Sequence, residues 1–100
     1  MIKGKTIICD IDNTICKTFN GDYLHSKPIQ KRISKMNKLY RDNHIIYFTA
    51  RGYKTGIDWA PLTKEQFKKW KVKCHQVVFG KPFGDLYIGD EAVKDSDFFK

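Results

Sequence analysis

Four short apolar runs, each breaking off into residue types that do chemistry, constrain this chain more than any other feature. Thr6-Ile7-Ile8-Cys9 leads into Asp10-Ile11-Asp12-Asn13-Thr14, and Ile45-Ile46-Tyr47-Phe48 into Thr49-Ala50-Arg51. Val77-Val78-Phe79 leads into Gly80-Lys81-Pro82, and Leu86-Tyr87-Ile88 into Gly89-Asp90-Glu91. Short apolar runs bounded by turn formers read as buried strands, and open α/β sheets gather their ligands at the carboxyl ends of such strands. Asp10 would face that crevice, with Asp12 on the same side as the chain turns away. Two carboxylates so close repel unless a cation joins them. Asp also starts ordinary turns, so the pair alone leaves chemistry and turn evenly matched. The other three strand ends tip the balance.

Helical patterns separate these runs. Pro28 suits a first helical turn, and Ile29, Ile33, Met36 and Leu39 or Tyr40 then make one apolar stripe, with Asn43 as a left-handed stop. Thr63 and Gln66 match a capping box, Leu62 and Phe67 a hydrophobic staple, and Trp70 continues that buried face. Asn20-Gly21, inside residues 17–24, signals a tight hairpin turn. Strand and helix therefore alternate as βαβ units do. The expectation is a single α/β domain over residues 1–100, near the lower size limit for a doubly wound sheet, so that a homo-oligomeric partner would add stability.

The formal charge of +8 is compatible with nucleic acid. The lysines, however, fall at helical spacing opposite the apolar positions, Lys31, Lys35 and Lys38 on one helix and Lys64, Lys68, Lys69, Lys71 and Lys73 on and after the next, as solvated faces do. A positive field favours any small phosphate ester equally. Three cysteines, Cys9, Cys16 and Cys74, without Cys-x-x-Cys spacing, indicate neither a disulfide framework nor a zinc site. No run of eighteen apolar residues exists and the N-terminus lacks a signal-peptide core, so the expectation is a cytoplasmic protein without a membrane partner.

Taken in order, Asp10/Asp12/Thr14, Thr49, Lys81 and Asp90 resemble the four signatures of the haloacid dehalogenase superfamily of aspartate-nucleophile phosphatases. Phe48-Thr49-Ala50-Arg51-Gly52, Thr55-Gly56-Ile57-Asp58-Trp59 and Gly80-Lys81-Pro82 with Asp85-Leu86-Tyr87-Ile88 are similar to the small capless members associated with capsular polysaccharide biosynthesis. The resemblance implies a three-layer Rossmann-like parallel sheet flanked by helices, with a flap hairpin after the first strand and no cap domain. The intervals from Thr14 to Thr49 and from Thr49 to Lys81 have no room for a cap. The mouth should be open.

It also implies roles. Asp10 is the nucleophile and a Mg²⁺ ligand, forming an aspartyl-phosphate. The main-chain carbonyl of Asp12 is a second ligand, and its carboxyl is the general acid and then base. Thr49 and Lys81 hold the phosphoryl group, and Asp90 completes the metal site, with Glu91 as outer support and Asp95 as a further candidate acid. Thr14 orients Asp10 or the turn, and Asn13, where many members have Gly, tolerates positive φ. Arg51 either reaches substrate or forms a structural ion pair; Asp85 is structural. The implied substrate is a small phosphorylated metabolite, a sugar- or polyol-phosphate. A nucleotide or nucleic-acid-end phosphatase and a non-catalytic basic binding module are the alternatives.

Overall fold

All four apolar runs form strands in the computed structural model, which describes residues 2–79, 85–89 and 95–100. They are β1 (Thr6–Asp10), β4 (His44–Thr49), β5 (Gln76–Phe79) and β6 (Leu86–Ile88). They lie in one parallel sheet in the order β5-β4-β1-β6. Two short strands, β2 (Cys16–Lys17) and β3 (Lys27–Pro28), pair antiparallel outside that sheet. The helices are α1 (Gln30–Leu39), α2 (Ala60–Trp70) and the short α3 (Asp95–Phe98).

Register decides which side chains share a face. Ile7 sits opposite Ile45 and Leu86, and Cys9 opposite Tyr47 and Ile88, so strand alternation sends these residues to the same side. There they form one core with Ile33, Met36 and Leu39 of α1 and Phe67 and Trp70 of α2. The path β1 to β4 to β5 steps twice in the same direction across the sheet, and right-handed crossovers then put both helices on that face. Phe98 and Phe99 also pack against this core, beside the α1 cations Arg32 and Lys35. Among the described residues the helices thus make one layer on one face, where the sequence led to an expectation of three layers. The opposite face carries Ile8 and Ile46, both buried. Each such aliphatic side chain stabilises the fold by about 1.5–3 kcal/mol through burial.

Several local signals resolve differently from their sequence pattern. Pro28 lies in β3, paired with Cys16, and α1 starts only after Ile29. Asn43 does not adopt a left-handed conformation. Its amide instead donates to the carbonyls of Leu39 and Ile2 while its oxygen accepts from the Lys5 N–H. A side chain thereby satisfies a helix-end carbonyl and ties down the N-terminal segment. Helix α2 begins at Ala60, with Pro61 in its first turn, so Thr63 and Gln66 lie inside the helix and build no capping box. The left-handed stop is at its far end, at Lys71 (φ 59°).

The turn signal holds, although the strands on either side of it, β2 and β3, are linked by the whole of residues 18–26 rather than by a tight hairpin. Asn20 and Gly21 both have positive φ, and the Asp22 N–H donates to the Phe19 carbonyl at 2.9 Å, giving a two-residue turn of the primed kind. Between Thr14 and Thr49 the chain contains β2, a short 3₁₀ turn at Tyr23–His25, β3 and α1; between Thr49 and β5, one loop and α2. No cap-sized insertion occurs there. No helix among the described residues is long and apolar enough to cross a membrane.

Candidate active site at the carboxyl edge of the sheet

Central strand β1 delivers Asp10 to the carboxyl edge, flanked by β4 on one side and β6 on the other. One Asp10 carboxylate oxygen accepts the Ile11 N–H at 2.8 Å. Gly89, at the exit of β6, packs so closely that a Cβ there would lie 3.2 Å from the Asp10 Cβ. Asp10 therefore leaves the strand in one defined direction, half-buried against a neighbouring backbone.

The chain then turns over residues 11 to 15. Asn13 takes φ 61°, the left-handed conformation expected of it, and its side-chain oxygen accepts the Thr18 N–H at 3.1 Å. Ile11 and Ile15 are buried beneath the turn, the Ile11 carbonyl accepts the N–H groups of Thr14 and Ile15, and Arg32 of α1 donates to the Thr14 carbonyl at 2.9 Å. The Thr14 hydroxyl is buried and finds no hydrogen-bond partner among the described residues, so it does not orient Asp10 in this structure.

Asp12 is the hub. The Thr49 hydroxyl donates to one oxygen at 3.2 Å and the Thr18 hydroxyl to the other at 2.8 Å. Arg51 closes a fork on the same carboxylate: Nε lies 3.2 and 3.1 Å from the two oxygens and Nη2 2.8 Å from Oδ1. The arginine side chain is fully buried, whereas that of Asp12 keeps 19% of its surface exposed. A guanidinium buried in this way needs all its donors matched. Its Nη1 accordingly donates to the Thr63 hydroxyl at 3.0 Å and the Gln66 side-chain oxygen Oε1 at 2.7 Å, and its Cζ lies 4.8 Å from the Tyr23 ring centroid. Gln66 also donates to the Tyr23 carbonyl at 2.6 Å, linking α2 to the segment that follows β2.

The Arg51 alternative left open by the sequence thus resolves to an ion pair with Asp12. Thr49 lies in the same cluster and engages Asp12. Thr63 and Gln66, read from sequence as a cap, are instead the counter-groups of Arg51. Thr18, Ser26 and Tyr23 also belong to the cluster, the Thr18 and Ser26 hydroxyls being 2.6 Å apart. Only one signal could have exposed Thr63 and Gln66: two polar residues share the inward helical face of Phe67 and Trp70, and a buried polar residue demands a partner. Asp85, expected to be structural, accepts the Thr6 N–H at 2.8 Å, at the end of the sheet away from Asp10.

Burial pushes the Cys16 thiol above its ordinary range; the neighbouring Asp12 charge adds to this, while the Thr18 hydrogen bond and Arg51 oppose it. Cys16 is therefore a packing residue under the turn rather than a thiolate nucleophile. Lys81, Asp90 and Glu91 lie outside the described residues, as does the side chain of Asp95. No group of three or more His, Cys, Asp or Glu side chains gathers to hold a metal among the described residues.

The fold is similar to a crystal structure of a structural genomics target from Vibrio cholerae, with a TM-score of 0.76 and 28% identity over 95% of this chain and 87% of that one. No family model and no curated protein matches the chain.

Proposed function

We propose that the protein is a capless phosphomonoester hydrolase of the haloacid dehalogenase type, dependent on Mg²⁺ and working through an aspartyl-phosphate on Asp10. The observation that carries this reading is the convergence of two strand ends: Asp10 and Asp12 leave central β1 beside Thr49 at the end of β4, whose hydroxyl reaches Asp12. Crevices at the carboxyl ends of parallel strands are where such sheets bind ligands.

In the first step an Asp10 carboxylate oxygen attacks phosphorus, the bond to the ester oxygen breaks, and the Asp12 carboxyl gives that oxygen its proton. In the second, Asp12 takes a proton from a water whose oxygen attacks phosphorus, the bond to Asp10 breaks, and inorganic phosphate leaves. Asp12 accepts from Arg51, Thr49 and Thr18 in this structure. Donating its proton therefore requires the carboxyl to turn out of the Arg51 fork toward the leaving oxygen. The oxygen donors fit a hard divalent ion: the Asp10 carboxylate and the Asp12 main-chain carbonyl would hold it with Asp90, and Lys81 would share the phosphoryl charge. When bound, magnesium offsets the repulsion between the ester's charge and the attacking carboxylate.

The test is phosphate release from an aryl phosphate with Mg²⁺, native chain against Asp10→Asn. Release by the native protein and a fall of about 10³-fold or more in the variant are expected, since no covalent adduct can form. Equal rates in the two proteins would sink the proposal. The resemblance points to sugar- or polyol-phosphates as substrates. The exposed lysines along α2 and the net charge of +8 favour a nucleotide or nucleic-acid end as the second reading. A steep loss of turnover of a phosphorylated oligonucleotide with added salt would support it.

A further inference from the structure

The loop between β4 and α2 wraps a cavity of about 480 Å³ that shares Thr49 and Arg51 with the Asp12 cluster and continues to Phe79 at the end of β5. This volume is within the range of small-ligand sites. Its walls are mainly Phe48, Tyr53, Ile57, Trp59 and Phe79. Five large apolar side chains stand exposed among the described residues, and three of them, Tyr53, Ile57 and Phe79, line this one cavity. Such concentration marks a binding surface rather than scattered exposure.

The loop is shaped in advance. Gly52 has φ 81°, a Cβ there would lie 2.1 Å from the Ile57 carbonyl oxygen, and the Gly56 N–H donates to the Gly52 carbonyl at 2.8 Å. Trp59 is braced edge-on against Tyr23, ring centroids 5.1 Å apart. Of the polar side chains in the walls, Thr49 and Arg51 engage Asp12 and one Asp58 oxygen accepts the Ala60 N–H at 3.0 Å, which leaves the Tyr53 hydroxyl and the second Asp58 oxygen as polar contacts for a ligand. A polyhydroxylated chain entering here would give up water for few replacement partners. A flat apolar face would give up little and gain aromatic contact.

We propose that this cavity seats the leaving group of the phosphoester and selects a planar, largely apolar ring over an open polyol, which favours the nucleotide reading over the polyol-phosphate one. The assignment rests on reading the adjoining mouth as a phosphomonoester site. An arylalkyl phosphate and a nucleotide both offer the required chemistry, a phosphate dianion tethered to a planar ring.

Three esters with alkoxide leaving groups separate pocket recognition from intrinsic reactivity: naphthylmethyl phosphate, a nucleoside 5′-monophosphate and glycerol 3-phosphate. At least one ring-bearing ester should exceed glycerol 3-phosphate about tenfold in kcat/KM, mainly through KM, as expected for one aromatic stacking contact. Which ring-bearing ester leads identifies the source. In Tyr53→Ser/Phe79→Ser the advantage should shrink to about threefold or less. Both side chains are exposed, so the fold should persist, as a melting curve checks. Equal turnover of all three esters, or a preference indifferent to the double substitution, overturns the pocket while leaving the hydrolase intact. If neither these esters nor the aryl phosphate is cleaved, yet naphthylmethyl phosphate perturbs tryptophan fluorescence in the native protein and not in the double variant, ring binding by the cavity stands while its leaving-group role and the Asp10 chemistry fall.

Discussion

Replacing Arg51 with Met should destabilise this protein more than any other single change at the mouth. The side chain is fully buried and donates five hydrogen bonds, three to the Asp12 carboxylate and one each to Thr63 and Gln66. Methionine fills similar apolar volume but leaves a carboxylate, a hydroxyl and an amide oxygen facing an apolar stem. Breaking one partner of a buried pair costs about 3–5 kcal/mol. Asp12 keeps some contact with water, which places the expected loss near the lower end, about 3 kcal/mol. At 4–8 °C per kcal/mol for a domain of this size, melting should fall by roughly 12–24 °C. Arg51→Lys keeps the charge but not the fork and should lose less. The decisive assay is a urea double-mutant cycle with Asp12→Leu. The combined variant should recover much of the loss, because an apolar pair of matching volume leaves no orphaned charge. A loss below about 1 kcal/mol in Arg51→Met, or strict additivity of the two substitutions, would refute the view of Arg51 as a buried counter-ion.

Gly52→Ala should cost about 2 kcal/mol or more, since a Cβ would collide with the Ile57 carbonyl in a backbone conformation L-residues avoid, and thermal melting would reveal it. Lys71→Gly should stabilise by about 0.5–1 kcal/mol, because Lys71 holds a left-handed helix stop that glycine adopts without strain; denaturant midpoints measure this. The Tyr47 hydroxyl is buried without a hydrogen-bond partner among the described residues, so Tyr47→Phe should be neutral or stabilising by up to about 1 kcal/mol. Burial raises the Tyr47 pKa well above the ordinary 10.0. The native contribution is thus intact below pH 10 and lost as pH climbs above it, and Tyr47→Phe should flatten the alkaline fall in stability followed by circular dichroism.

Much of the architecture is legible in the chain because local and global preferences coincide. Ile45-Ile46-Tyr47-Phe48 can scarcely be anything but a buried strand, and Asn20-Gly21 supplies the φ values its turn demands. The same holds for Asp10 and Asn13, whose positions follow from where β1 must end. Thr63 and Gln66 mislead because a capping box is a local pattern, whereas the bonds that decide their role come from Arg51, twelve and fifteen residues earlier. Asn43 misleads similarly: its residue type fits two ways of ending a helix, and the approach of Ile2 and Lys5 selects side-chain bonding. Nothing local marks Thr18 or Tyr23, which enter the cluster only once the hairpin folds back over the sheet edge.

Helix α2 has two duties on one inward face. Phe67 and Trp70 wall the interior, while Thr63 and Gln66, one turn earlier, steady a cation and a loop at the rim. Any slide or rotation of that helix moves both together. Tolerance to heat and fitness of the rim for its task are consequently inherited as one trait, and selection acting on either has to negotiate with the other through a single rigid rod.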